Sequence, residues 1–130
     1  MTPAQRLASV PVARLATVGP DGAPHVVPMV FALVGEDEIV SAVDHKPKRT
    51  RALRRLANIE HEPRVSVLAD HYEPDWSQLW WVRADGVARL LPAYAEGLQA
   101  LAGRYPQYRE KPPAGPFVVI TVERWATWTA

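Results

Sequence analysis

The densest chemistry in the chain is the run Asp44-His45-Lys46-Pro47-Lys48-Arg49-Thr50-Arg51, with four cations in the six residues from Lys46 to Arg51. It lies where a strand gives way to the start of a helix. The first turn of a helix carries partial positive charge and normally attracts Asp or Glu, so Lys48, Arg49 and Arg51 are crowded there at an electrostatic cost. A phosphate-like anion relieves that cost, because free backbone N–H groups, the helix dipole and the side chains then point at one ligand. Thr50 adds a hydroxyl donor. The competing reading is a solvated basic face, the commoner fate of a charge run.

Tryptophan is the second signal, at Trp76, Trp80, Trp81, Trp125 and Trp128. Trp80 and Trp81 are neighbours in a strand pattern, so they face opposite sides of the sheet. One enters the core; the other needs a ligand ring, a helix or a second subunit over it. The remaining reactive residue types form no machinery. His25, His45, His61 and His71 lack metal-ligand spacing, and structural roles are preferred for them; His25 is placed to line a pocket at the start of its strand. The absence of cysteine excludes disulfides, thiolate catalysis and cysteine-ligated zinc. Ser41 and Ser66 have no nucleophile-elbow context, and Glu73 and Asp75 form no carboxylate pair. Chemistry here would fall to a bound cofactor.

The elements that position these residues are short. Thr2–Ser9 suits a helix opened by Pro3. Val12–Val18 and His25–Leu33 read as a hairpin about the turn Gly19-Pro20-Asp21-Gly22. Pro28 requires an edge or a bulge in the return strand, because it cannot donate to a ladder. Glu38–Val43 is the next strand, and 50–60 carries Leu53, Leu56, Ala57 and Ile59 at helical spacing with arginines opposite. Arg64–Asp70, then Leu79–Leu91 with a bend at Gly86, then Phe117–Trp125 complete the strands. Pro92–Gly103 reads as a helix and Tyr105–Gly115 as a proline-rich connector. The length fits one domain, 1–130. The expected class is mostly β with short helices: an antiparallel six-stranded split β-barrel, without the GxGxxG of a dinucleotide fold. A net charge of +1 argues against nucleic acid or membrane as partner. The N-terminal stretch Met1–Ala16 has no signal-peptide or membrane-span pattern, so a cytoplasmic location is expected.

In this order the segments resemble the pyridoxamine-5′-phosphate-oxidase-like, FMN-binding split barrels, and within them the deazaflavin (F420)-dependent oxidoreductases. The stretches that carry the resemblance are Arg14-Leu-Ala-Thr-Val18, Pro20-Asp-Gly-Ala-Pro24, Lys46 to Arg51 with Leu53, Pro63-Arg-Val-Ser-Val-Leu68, and Asp75-Trp-Ser-Gln-Leu-Trp-Trp-Val-Arg-Ala-Asp-Gly86 with Ala88. The resemblance implies a homodimer with cofactor at the subunit interface and a small-molecule substrate. It implies phosphate binding by Lys46, Lys48, Arg49 and Thr50, although related chains often have an arginine where this one has Pro47. It places the ring along Pro28, Met29 and Val30 and along Ser41, Ala42 and Val43, with Trp80, Trp81 and Trp125 as aromatic cover. The implied reaction is hydride transfer from or to F420, with no catalytic residue assigned and Tyr72, His25 or solvent as proton source. FMN in the same cradle, a non-enzymatic flavin or haem carrier, and a nucleic-acid-binding barrel are the alternatives, the last disfavoured by charge.

Overall fold

The computed structural model describes residues 1–43 and 49–130, with the side chains of 49–53 outside the description. The chain opens with α1 (Pro3–Ala8), capped reciprocally: Gln5 N–H donates to Thr2 Oγ1 at 3.1 Å and Thr2 N–H to Gln5 Oε1 at 2.9 Å. A hairpin of β1 (Ala13–Val18) and β2 (Pro24–Met29) follows, then one of β3 (Ala32–Val34) and β4 (Glu38–Ala42). Gly22 and Gly35 take positive φ, 80° and 68°, where these two turns reverse. Next come α2 (Arg49–His61), β5 (Arg64–His71), β6 (Trp80–Leu91), α3 (Ala95–Arg104), α4 (Pro106–Glu110) and β7 (Phe117–Thr129).

All seven strands form one antiparallel sheet in the order β2-β1-β5-β6-β7-β4-β3. This corrects the expected six strands. The segment His25–Leu33 splits at Val30-Phe31, where the Tyr105 hydroxyl enters. It receives the Phe31 N–H at 3.0 Å and lies 2.8 Å from the carbonyls of both Phe31 and Pro11. With these groups satisfied by a side chain, the ladder stops and the chain crosses to the far side of the sheet.

The expected barrel is also not closed by hydrogen bonds. Among the described strands β2 and β3 are the two free ends. Yet Val30 and Phe31 alone separate them in the chain, so Met29 and Ala32 are at most about 11 Å apart. A flat sheet of this strand count would hold its edges about 29 Å apart. The sheet must therefore curl until its edges nearly meet, leaving a split.

The interior of the curl holds Leu15, Phe31, Ile39, Val67, Val82 and Ile120, all fully buried, with Ile59 of α2 closing one side. A second core lies on the outer side of β3, β4 and β7, where Leu101 of α3 and Tyr108 of α4 pack on Val40, Phe117 and Val119. Alternate residues of β4 and β7 thus enter different cores, which explains their unbroken apolar sequence. The outer side of β2, β1, β5 and β6 carries no helix. Val18, Val26, Leu68 and Trp128 stand exposed there and on the adjoining end of β7.

Two further differences from expectation are local. The connector from Tyr105 contains α4, a single short helix with Pro106 at its first position. Strand β7 runs past Trp125 to Thr129, because β6 offers partners along its whole length, from Leu91 opposite Phe117 to Trp80 opposite Thr129. The bend expected at Gly86 is a register shift between Asp85 and Gly86. A Cβ on Gly86 would lie 2.3 Å from the Thr121 carbonyl oxygen. Gly86→Ala is therefore expected to cost about 2 kcal/mol or more in urea unfolding, whereas Gly103→Ala, whose Cβ would meet nothing within 4 Å, should not destabilise the fold.

Candidate functional site

The sheet end where α2 packs concentrates uncommitted polar groups. Helix α2 is anchored there by Asn58, buried, which donates from Nδ2 to the buried Thr17 Oγ1 at 3.1 Å. Thr17 pairs with His25 across the hairpin. About one turn before Asn58 on α2 stand Arg54 and Arg55. The Arg55 Nε and the His25 Nδ1 are buried, and among the described residues neither has a hydrogen-bond partner. Burial lowers the His25 pKa, and the positive charges of Arg54 and Arg55 lower it further. The imidazole is thereby held toward its neutral form. Burial also lowers the Arg55 pKa, with Tyr108 acting in the opposite sense. Among the described residues no carboxylate pairs with Arg55. A guanidinium buried without an anion is costly, and buried polar atoms left unpaired call for an unseen partner. An oxyanion-bearing ligand meets both needs.

Of the residues expected to hold phosphate, Lys46 and Lys48 lie outside the described residues. Arg49 and Thr50 begin α2, with their side chains outside the description. The strand residues expected along a ring divide into two groups. Met29, Ser41 and Ala42 are buried. The Ser41 hydroxyl is already committed, donating to the Val30 carbonyl at 2.8 Å, and the Val43 N–H donates to the Pro116 carbonyl at 3.1 Å. Pro28 is exposed on β2, opposite Arg14, and Val30 is half-buried at the strand break. Because β2 is an edge strand, its outer backbone groups are free for a ring edge. The side chain of Met29 packs in the inner core and that of Ala42 in the core beneath α3 and α4.

Trp80 and Trp81 face opposite sides of the sheet, as expected. Trp80 and Trp125 pack against the inner core. Trp81 is on the outer face, where it lies opposite Trp128 and has the Arg83 guanidinium 5.9 Å from its ring centroid. Trp81 lines a shallow cavity of about 380 Å³ together with Arg14, Leu68, Asp70, Tyr72 and Arg83. Tyr72, one expected proton source, is exposed at that rim, away from His25 at the α2 end of the sheet.

An ionic cluster on the same outer face had no sequence signal. Asp85 accepts from Ser66 Oγ at 2.7 Å, from Arg83 Nε at 2.9 Å and from Arg124 Nη2 at 2.9 Å. Arg83 shares β6 with Asp85, two residues away, whereas Ser66 and Arg124 are brought to it by the pairing of Ser66 with Asp85 and of Asp85 with Arg124. Partial burial pushes the Asp85 carboxyl up, but the hydrogen bonds from Ser66, Arg124 and Arg83 prevail and hold it at about 2.

A curled antiparallel sheet, split between consecutive strands and flanked by short helices, defines a split-barrel protein. The family model described as pyridoxamine 5′-phosphate oxidase matches residues 4–129, and the chain belongs to that family. Among solved structures it is similar to a conserved hypothetical protein of Mycobacterium tuberculosis (TM-score 0.74, 24% identity, covering 97% of this chain and 81% of that one). It is similar also to an FAD-binding protein of Mycobacterium smegmatis (TM-score 0.62, 22% identity, 95% and 89%). A third likeness is to the haem storage protein of Vibrio cholerae (TM-score 0.69, 17% identity, 92% and 85%). At these identities the likeness is one of fold. No curated protein sequence matches the chain. No helix of the described residues is long and apolar enough to cross a membrane.

The Asp85 cluster yields a pH prediction. The folded-state pKa, about 2, lies below the ordinary 3.8, so Asp85 contributes stability above pH 3.8 that is lost as pH falls toward 2. The thermal midpoint of the wild type should fall more steeply over that window than that of Asp85→Asn, as followed by circular dichroism.

Proposed function

We propose that this chain binds a phosphorylated flavin-type cofactor at the α2 end of the sheet, F420 in preference to FMN, and uses it for hydride transfer to a small organic substrate. The observation that carries the proposal is a pair of buried atoms without a partner among the described residues, Arg55 Nε and His25 Nδ1, beside a helix whose first turn overlaps the basic run. Lys46, Lys48, Arg49 and Thr50 would grip the phosphate, and Arg54 and Arg55 would extend the positive surface. F420 carries a longer anionic tail than FMN and so gains more from those added cations. The ring would lie against the free edge of β2 at Pro28 and Val30. When bound, the ring supplies the hydride chemistry. The chain supplies orientation, exclusion of water and, through the neutral His25 imidazole, a hydrogen-bond partner for the ligand.

The similarity to a protein described as FAD-binding agrees with this reading. The similarity to one described as a haem storage protein favours a second, a non-enzymatic carrier. Turnover separates them: a carrier binds tightly yet reduces none of a broad panel of acceptors.

The helix-free outer face is the proposed homodimer surface. It is apolar at Val26, Leu68, Trp81 and Trp128, and it carries both signs of charge, Arg14, Arg83 and Arg124 beside Asp70 and Asp85. A two-fold axis can set such a surface against its own copy. The proposed setting is the cytoplasm.

Titration of F420 and of FMN, followed by tryptophan fluorescence, is expected to give dissociation constants below about 1 mM for at least one. Arg55→Gln should weaken binding about tenfold, or ~1.4 kcal/mol, and reversal of charge at Lys48 and Arg49 should weaken it further. Undiminished affinity in both variants defeats the proposal. In sedimentation velocity the wild type should run as a dimer and the double variant Val26→Glu, Leu68→Glu as a folded monomer.

A further inference from the structure

At the other end of the sheet lies a groove of about 550 Å³ that the cofactor reading does not use. It is walled by α1, by the single 3₁₀ turn Trp76–Gln78 and by the last residues of β7. Its floor is Trp80. Seven residues of β6, about 23 Å of extended strand, separate Trp80 from Val87, which pairs with Arg64 just after α2. The two sites are therefore at opposite ends of the sheet.

The charges of the groove are unequal in their commitments. The Arg6 guanidinium lies over Trp80, 4.8 Å from the ring centroid, and among the described residues no carboxylate pairs with it. Both neighbouring acids are engaged. Glu73 holds His71 Nε2, and that imidazole stacks on Trp80 with 6.4 Å between centroids. Asp75 accepts from the Ser77 hydroxyl at 2.6 Å and from its N–H at 3.1 Å. The cation is also held in place. Helix α1 is capped at Thr2, sinks Leu7 into the core, and is tied at its far end by Arg104, which donates to the Val10 carbonyl. Ser9, Gln78 and Thr129 add hydrogen-bonding side chains around Arg6.

The turn that borders this groove carries an exposed aromatic. Trp76, on the turn that supplies Ser77 and Gln78, is 77% exposed. A groove with an uncommitted guanidinium, bordered by a turn that carries an exposed tryptophan, is suited to a ligand with a flat apolar body and one anionic end. We propose that this groove binds a small aromatic carboxylate, its carboxylate on Arg6 and its ring between Val10 and Trp76.

The test uses the full chain labelled with ¹⁵N, whose tryptophan indole N–H signals are assigned by single Trp→Phe replacements. Benzoate is the probe, with benzamide as its uncharged counterpart and acetate as the carboxylate without a ring. Benzoate is expected to shift the Trp80 and Trp76 signals in a saturable way, and benzamide to shift them far less. Arg6→Gln should weaken benzoate binding about tenfold while the remaining spectrum stays native. Trp76→Ala, at an exposed site, should weaken benzoate but leave acetate unchanged. No benzoate response up to about 10 mM, equal responses to benzamide, or full benzoate affinity in a folded Arg6→Gln protein would overturn the proposal. None of these readouts involves F420 or FMN, so they stand apart from the cofactor titration.

Discussion

The architecture depends on one phenolic oxygen. Tyr105 takes the hydrogen-bonding groups of Phe31 at the point where β2 ends and β3 begins. A buried backbone pair without a ladder partner would be costly, and the hydroxyl removes that cost. The chain can then leave one edge of the sheet and enter the other within two residues. Curling follows, and with it a common interior for strands far apart in the sequence. Arg104 and Tyr105 also reach Val10 and Pro11, so the same corner fixes α1. Helix α3 thereby locks the split and positions the groove around Arg6.

Coverage of the outer side of the sheet decides where binding can occur. Helices α3 and α4 occupy the outer side of β3, β4 and the first residues of β7, which leaves β4 and that part of β7 buried on both faces. What remains available is the α2 end with Arg54 and Arg55, the opposite mouth beside Trp80, and the bare outer face of the other strands. The first is suited to an anion by electrostatics, the second by a cation with an aromatic neighbour, and the third by extent and mixed charge. The fold thus keeps these three surfaces apart in a chain of 130 residues.

Much of the local structure is legible in the sequence because the periodicities are strong. Val65, Val67 and Ala69 alternate inward along β5, and Pro3 with Thr2 marks the start of α1. What escapes is non-local. The break at Phe31 depends on a tyrosine 74 positions away. The reach of β7 to Thr129 depends on β6 lying alongside, and α4 is too short and too rich in proline context for a period to emerge. Around the candidate site, the basic run is conspicuous in sequence, yet Lys46 and Lys48 fall outside the described residues. The structure contributes what no spacing contains: His25 and Arg55, from different elements, each with a buried nitrogen lacking a partner. Most of the Asp85 network is invisible for the same reason, since Ser66 and Arg124 reach the carboxylate through strand register alone.

Strand β2 has a consequence for solubility. As a free edge it displays backbone groups that another chain could extend, the usual seed of fibrillar assembly. Two of its six residues, Pro24 and Pro28, have no N–H to offer. An incoming strand would meet gaps at a spacing of four residues and could not zip along the edge. The two prolines that interrupt donation on this edge thus deny it to neighbouring polypeptides.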